Sequence, residues 1–262
     1  MSVSAIRLLL FLGILLLLIV FEYLSPRRSL SQPKVKRWTI NFCLHVTNVA
    51  LVYFTMGAIL FTTATAATEA RWGILNLLHI PPLLFIPLTI LILDFVIYLQ
   101  HICFHLVPLF WRFHRVHHTD IDFDVTTGIR FHPIEILISL AIKMIAVVLI
   151  GADPWGTIIF EIILNATSLF NHANIFIPLP LDEKLRWILV TPDVHRIHHS
   201  IFPNETNSNF GFSVTWWDRL CRTYRNQPKQ PHTEMEIGLP HYRKPDNLRL
   251  FDLLILPALK SD

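Results

Sequence analysis

The sequence predicts an all-α integral membrane protein, with about four to five transmembrane or re-entrant helices and a histidine-rich cap on one face. Three observations carry that prediction. The 262 residues are 53% hydrophobic and only 16% charged, which is unusual for a water-soluble chain of this size. Apolar runs long enough to cross a hydrocarbon core of about 30 Å recur with short polar connections between them. Histidines cluster just beyond the ends of those runs, first in HICFHLVPLFWRFHRVHH (101–118) and again in HRIHH (195–199).

The first run, Ala5 to Leu24, ends in FEYLSPRRS rather than in a small-residue cleavage site, so it reads as a retained anchor and not as a signal peptide. The connection after it concentrates Arg27, Arg28, Lys34, Lys36 and Arg37, a cluster that marks the cytoplasmic side and places the N-terminus outside. A second span is expected from Trp38 to Ala64, followed by a connection holding only Glu69 and Arg71 as charges before Trp72. A third, Ile80 to Leu99, returns to the cytoplasm and delivers His101. Trp38, Trp72 and Trp111 fall at span ends, where indole rings favour the headgroup level. TDIDFDVTTGIRFHPIE then forms a polar turn through Gly128 and Pro133, expected to pack near the histidines. Runs 134–150 and 155–170 flank GADPW and read as a helical hairpin that enters and leaves on the same side, returning His172 and HRIHH to the face that holds the first cluster. From Leu181 onward the chain is more polar and proline-rich, and Leu250 to Leu256 is too short to span. This divides the chain into N-terminal transmembrane helices (1–79), a catalytic domain (80–225) and a C-terminal tail (226–262).

Composition narrows the function. A formal charge of +3, with dispersed basic residues, gives no footprint for nucleic acid. Cys43, Cys103 and Cys221 have no CxxC spacing, so neither a disulfide framework nor a thiolate zinc finger is expected, and Cys103 reads as a small filler between histidines. Ionisable residues inside the spans are functional candidates, because lipid exposure costs them several kcal/mol on the less forgiving estimates. Asp94 shares a helical face with His101 and His105 and is placed to accept a hydrogen bond from the outer nitrogen of an imidazole. Glu161, Asn165, Ser168 and His172 form a polar stripe, while Lys143, halfway along the fourth run, needs a partner or a shallow hairpin.

The histidines carry the chemistry. His101 and His105 lie four apart, and His114, His117 and His118 repeat the spacing of His195, His198 and His199, so each group can aim its imidazoles at one point from a helix. With His172 this makes more nitrogen donors than one ordinary metal site takes, and two ions account for them. Imidazole suits zinc, copper, iron and nickel alike, so the ligands alone do not select the metal. A site at the membrane surface suits a lipid substrate, and iron with dioxygen can oxidise an unactivated C–H bond that no acid or base here could attack unaided. The competing readings are a histidine-rich metal transporter, a haem-binding electron-transfer protein and a zinc hydrolase. A transporter would need donors spread through the bilayer, a haem protein would show an optical spectrum, and HxxHH lacks the glutamate of HExxH.

HICFH, HRVHH and HRIHH, in that order on a hydrophobic chain, resemble the histidine boxes of the fatty acid hydroxylase and sterol desaturase superfamily, which are integral membrane di-iron oxygenases. The resemblance extends over DFVIYLQH, PLFWRFHRVHHTD, TTGIRFHPIE, NHANI, TPDVHRIHHS and NFGFSVTWWDRL, roughly Leu93 to Tyr224. It implies metal ligation by His101, His105, His114, His117, His118, His195, His198 and His199, with His172 of NHANI as a further ligand. His132 of FHPIE matches a characteristic histidine that would ligate or support a ligand; Asp94, Glu161 and Asn165, candidates from their own spacing, would be further supporting residues. Cys221 and Arg222 stand where the family often has a small residue, outside the metal site. The implied activity is O2-dependent hydroxylation or desaturation of a lipid, using two iron ions that zinc could replace on overexpression. Hydrogen abstraction would be followed by oxygen transfer to give an alcohol or by loss of a second hydrogen to give an alkene. No flavin or dinucleotide fingerprint appears, nor a cytochrome b5-like segment, so an external donor of ferredoxin or cytochrome b5 type with its reductase is implied.

Overall fold

The computed structural model describes residues 3–55, 59–78, 80–243 and 249–259. The chain enters as α1 (Val3–Leu24), turns through the basic loop, and leaves the cap along α2 (Lys34–Thr55) and α3 (Ile59–Glu69). After the short α4 (Ile74–Leu77) it returns along α5 (Pro82–Leu106) into α6 (Pro108–His118), and then makes the hairpin α7 (Pro133–Ile150) and α8 (Pro154–His172). The remaining helices are short: α9 (Leu179–Leu185), α10 (Pro192–His198), α11 (Pro203–Thr206), α12 (Trp216–Leu220) and α13 (Leu250–Ile255). Among the described residues the only β pairing is three isolated bridges, so the fold is all-α. Four stretches are long and apolar enough to cross a membrane, Val3–Leu24, Lys34–Leu77, Pro82–Leu106 and Pro133–Ile150, as expected of an integral membrane protein.

Two boundaries differ from expectation. The expected second span, Trp38 to Ala64, is divided between α2 and α3, with residues 56–58 outside the described set. The third span runs to Leu106 rather than Leu99, so His101 and His105 lie within the last turns of α5 and not beyond it. The reason α5 stops there is Pro108. Proline disfavours helical backbone in the residue before it, and Val107 is extended at φ −91°, ψ 115°. Pro108 is itself suited to the first turn of a new helix, and α6 begins at once. A one-residue elbow therefore folds the second histidine box back beside the first.

The hairpin α7–α8 has the expected geometry. Its bend is closed by Gly151 in the left-handed region (φ 71°) and by Asp153, whose side chain accepts the Gly156 amide at 2.7 Å. A Cβ on Gly73 (φ 89°) would stand 2.0 Å from the Gly151 backbone nitrogen, so the loop after α3 packs on this bend only because both positions are glycine. An apolar core of Leu60, Ala64, Leu93, Ile97, Val147, Ile150 and Phe160 fills the space between α3, α5, α7 and α8, reaching along α5 to within a turn of His101.

At the other end, the basic loop is stitched to the cap by charge. Arg37 bonds Asp120 at 2.8 Å and Asp124 at 2.6 Å, Arg27 pairs with Asp193 at 3.0 Å, and the Ser31 amide donates to Asp122 at 2.9 Å. Glu22 at the end of α1 accepts the amides of Val125 and Asn174 at 2.7 and 2.6 Å. The basic loop and all the histidine clusters thus lie on one face. The tail closes the back of α6, where Arg115 donates to the carbonyls of Leu256 and Leu259, and Leu253 packs with Leu44 and Val116.

Candidate metal centre

Four helices converge on the site. α5 supplies His101 and His105 one turn apart, α6 supplies His114, His117 and His118, α8 ends on His172, and α10 with the residue after it supplies His195, His198 and His199. The nine fall into two groups whose nitrogens lie within 4.8 Å of one another: His101, His105, His114, His118 and His198 in one, and His117, His172, His195 and His199 in the other. All are buried except His105, which is partly so. The chain folds locally to allow this crowding. A Cβ at Gly128 would meet the Ser168 carbonyl at 2.6 Å and His172 Nδ1 at 3.3 Å, so the 3₁₀ turn Val125–Ile129 can lie against α8 only with glycine there.

Hydrogen bonds fix the direction of the rings. His101 Nδ1 donates to the Phe210 carbonyl at 2.7 Å, His172 Nδ1 to Ser168 at 2.7 Å, His198 Nδ1 to Ser208 at 2.8 Å, and His114 Nδ1 to the Glu135 carboxylate at 2.7 Å. Each such bond places the proton on Nδ1 and leaves the Nε2 lone pair facing inward. His101 and His114 consequently point two lone pairs at each other across 3.1 Å, and His172 Nε2 stands 3.1 Å from Nε2 of both His117 and His195. Facing lone pairs at that distance repel unless a cation lies between them. Two imidazoles bound at right angles to one ion, each about 2.0–2.1 Å from it, would stand about 3 Å apart, which is the spacing found. The Nε2 atoms of His105, His118, His198 and His199 are buried with no hydrogen-bond partner, another arrangement that a metal satisfies.

Electrostatics agree with the ligand form. Burial first, and then the neighbouring imidazoles, hold His117, His118, His195 and His199 well below the ordinary histidine range. Burial likewise pushes His198 down to about 3. These rings are neutral at pH 7, with lone pairs available.

The supporting residues expected from sequence are placed elsewhere. Asp94 does not reach an imidazole; its carboxylate accepts the Trp217 indole N–H at 2.8 Å and anchors α12 to α5. His132 belongs to neither histidine group. Its Nδ1 accepts the Ile134 amide as a helix cap and its Nε2 donates to the Leu254 carbonyl, which leaves no lone pair for a metal. Glu161 pairs with Arg7 at 3.0 Å, and Asn165 donates to the Glu161 backbone, so neither touches a histidine. Ser168 alone of that stripe does, through its carbonyl to His172.

The carboxylate that does reach a ring is Glu135, which sequence reasoning passed over. It sits in the first turn of α7, where an acidic residue is explained by the helix dipole, and nothing in its spacing points to His114. Phe123, stacked on His172, and Asp218, which gathers the amides of Phe210 and Gly211 under the cap, were equally invisible. Burial pushes the Asp218 carboxyl up to about 6 despite those hydrogen bonds.

A cavity of about 550 Å³ leads from His101 and His114 into the bundle between α1, α2, α5, α7 and α8. Ile97, Phe104, Phe131 and Phe212 line it near the histidines, and at its outer end Leu8, Val49 and Tyr53 are 57%, 54% and 73% exposed. Its volume suits a small-molecule site, and its exposed end lies between α1 and α2, within two of the stretches long and apolar enough to cross a membrane.

A membrane bundle whose capped end holds nine inward-facing imidazoles at the foot of an apolar cavity defines a class, the histidine-box membrane proteins. Residues 86–223 match the fatty acid hydroxylase family, and the chain belongs to it. The chain is similar to the ornithine lipid hydroxylase OlsE of Rhizobium tropici, at 32% identity over 57% of this chain and 44% of that protein. It is also similar to an alkylglycerol monooxygenase of Xenopus tropicalis (30% identity, 52% of this chain, 30% of that one) and to the cholesterol 25-hydroxylase of Homo sapiens (30% identity, 52% and 49%). The matched stretch spans less than half the length of each of these relatives. No solved structure matches the chain significantly.

Proposed function

We propose that this protein is an O2-dependent oxidoreductase that hydroxylates or desaturates a lipid C–H bond, using two iron ions held by His101, His105, His114, His118 and His198 and by His117, His172, His195 and His199. The observation that carries the reading is the pairing of those two nitrogen groups with a cavity that ends on His101 and His114. Family membership and relatives named as lipid hydroxylases and a monooxygenase support it. Iron held there would supply what the chain lacks, the activation of dioxygen and the oxidation of an unactivated C–H bond.

The chain's own residues do the rest. Imidazole ligands bring no negative charge to a metal, so Glu135, bonded to His114, is the carboxylate that offsets positive charge at the centre and holds that ring in one tautomer. Backbone carbonyls of Phe210, Ser168 and Ser208 orient three further rings and hold their lone pairs inward. Phe104, Phe131 and Phe212 wall the substrate passage with apolar surface, keep water from the reacting carbon and hold an acyl chain or ring beside His101 and His114. The histidine face lies in the cytoplasm, because it shares its side with the basic loop Pro26 to Arg37. Electrons come from a separate donor of ferredoxin or cytochrome b5 type.

The test combines metal and product. Gently purified protein is expected to carry two metal ions per chain, natively iron, and cells with and without the gene should differ in one hydroxylated or unsaturated lipid by mass spectrometry. Negligible metal, or a haem Soret band, would overturn the reading.

A further inference from the structure

The cavity has a second chemical end. About 12 Å along α7 from Glu135, two helical turns and a little more, Lys143 lines the same space. Arg7 on α1 lines it too, paired at 3.0 Å with Glu161 on α8. Lys143 lies within electrostatic reach of both, attracted by Glu161 and repelled by Arg7. Its Nζ nevertheless makes no hydrogen bond and no ion pair among the described residues, while the Glu161 charge is already taken by Arg7. Two cations and one carboxylate leave one net positive charge beside an apolar passage inside the bundle. An unbalanced charge there is costly, and in membrane proteins such residues characteristically face a pathway or a partner. Ser4 and Tyr53 line the same outer part of the cavity, Tyr53 largely exposed, so the charge stands near the lipid-facing mouth.

We propose that Lys143, with the Arg7–Glu161 pair behind it, is a subsite for a monoanionic oxygen group on the substrate lipid, a carboxylate or a phosphodiester, that fixes how far along the chain the histidine centre acts. This rests on the proposed lipid-oxidising reading of the histidine end. A single unpaired ammonium matches a single negative charge, and hydrogen bonds to a charged group in a site shielded from water are among the stronger polar contacts. Glu135 bonds His114, so the offset of about 12 Å along α7 separates the anionic group from the carbon held at the histidines by an intervening stretch of chain.

Binding tests the subsite without turnover. Full-length protein in detergent would be titrated at about pH 8, well above the ordinary carboxyl range, by tryptophan fluorescence or thermal shift. The probes are two acid and neutral pairs, palmitate against palmityl alcohol and phosphatidylglycerol against diacylglycerol. At least one acid should bind about 10-fold more tightly than its neutral partner, the magnitude of one charged hydrogen bond, and the pair that shows the difference identifies the source of the anion. That preference should fall below about 3-fold in both Lys143→Gln and Lys143→Met, with metal content and elution as in the parent. Equal binding of acid and neutral probes by the parent overturns the proposal, and that result needs no variant. A preference that survives both substitutions also overturns it. Because metal content is read separately, a parent that prefers the acid but holds no metal supports the subsite while defeating the oxidase reading.

Discussion

Replacing Glu135 by glutamine separates the charge of this carboxylate from its geometry. Glu135 lies 2.7 Å from His114 Nδ1, and both side chains are almost fully buried, at 4% and 2% exposure. Glutamine keeps an oxygen that can accept the same N–H, so the ring should stay in place while the negative charge beneath it is lost. Removing a supporting partner of a ligating histidine typically costs about 10- to 100-fold in metal affinity or activity, equivalent to roughly 1.4–2.8 kcal/mol. The conservative variant belongs at the lower end, near 10-fold, and Glu135→Leu, which also abandons the N–H, near 100-fold. Competition against a chelator of known strength, with metal read by elemental analysis, measures both. Asp94→Asn is the comparison: its carboxylate holds Trp217 and no imidazole, so metal affinity should match the parent within about 2-fold. If Glu135→Gln and Glu135→Leu both retain parental affinity, the hydrogen bond to His114 does not tune the centre, and the charge-balancing role assigned to Glu135 is wrong.

Alanine at His114 or at His198 should abolish lipid oxidation and lower metal content, checked by elemental analysis on protein that elutes as the parent does. His241→Gln, exposed in the tail, is the control and should keep near-normal turnover; His45 and His79 also lie apart from the histidine boxes, but His45 stacks on Phe11 and lines the cavity and His79 lies outside the described residues. Acid should release the centre in a defined window. The cap histidines have folded values below the unfolded 6.5, so the stability they confer is complete above about pH 6.5 and is lost progressively as pH falls from there toward the folded values, which for His198 is about 3. Metal-free protein followed by fluorescence should therefore become less stable from about pH 6.5 downward, and a flat profile to pH 4 would contradict it. After replacement of the native cysteines, single cysteines at the exposed positions Ser29 and Asn204 should label from the same, cytoplasmic side; labelling from opposite faces would break the proposed topology.

Much of the architecture was legible because it follows from periodicity and punctuation. Apolar runs of span length announced α1, α5 and α7, and GADPW announced the hairpin bend, since a glycine end and an Asp-Pro start are local chemistry. The histidines that meet were legible for the same reason, as spacing along a helix survives whatever packs around it. What stayed hidden depends on contacts between segments far apart in sequence. Asp94 shares a face with His101 and His105 along α5, but helical phase says nothing about α12, which carries Trp217 to that carboxylate. Glu135 and His114 meet only because α6 and α7 are held together by the turn between them. His132 lies in a histidine-rich context, yet its position before Pro133 makes it a helix cap, a role that its neighbours in the chain already contained.

The elbow at Val107 and Pro108 turns the stretch between the first two boxes into a ruler. Only Val107 separates α5 from α6, so there is no slack to absorb a change in length. Inserting one residue after Pro108 would advance the rest of α6 by about 1.5 Å and rotate it by about 100°. His114 would then swing away from Glu135 and His101 together, and His117 and His118, now on opposite sides of the divide between the two nitrogen groups, would lose their assignments. An engineer placing a tag or a loop should leave the interval from His105 to His114 at its present length.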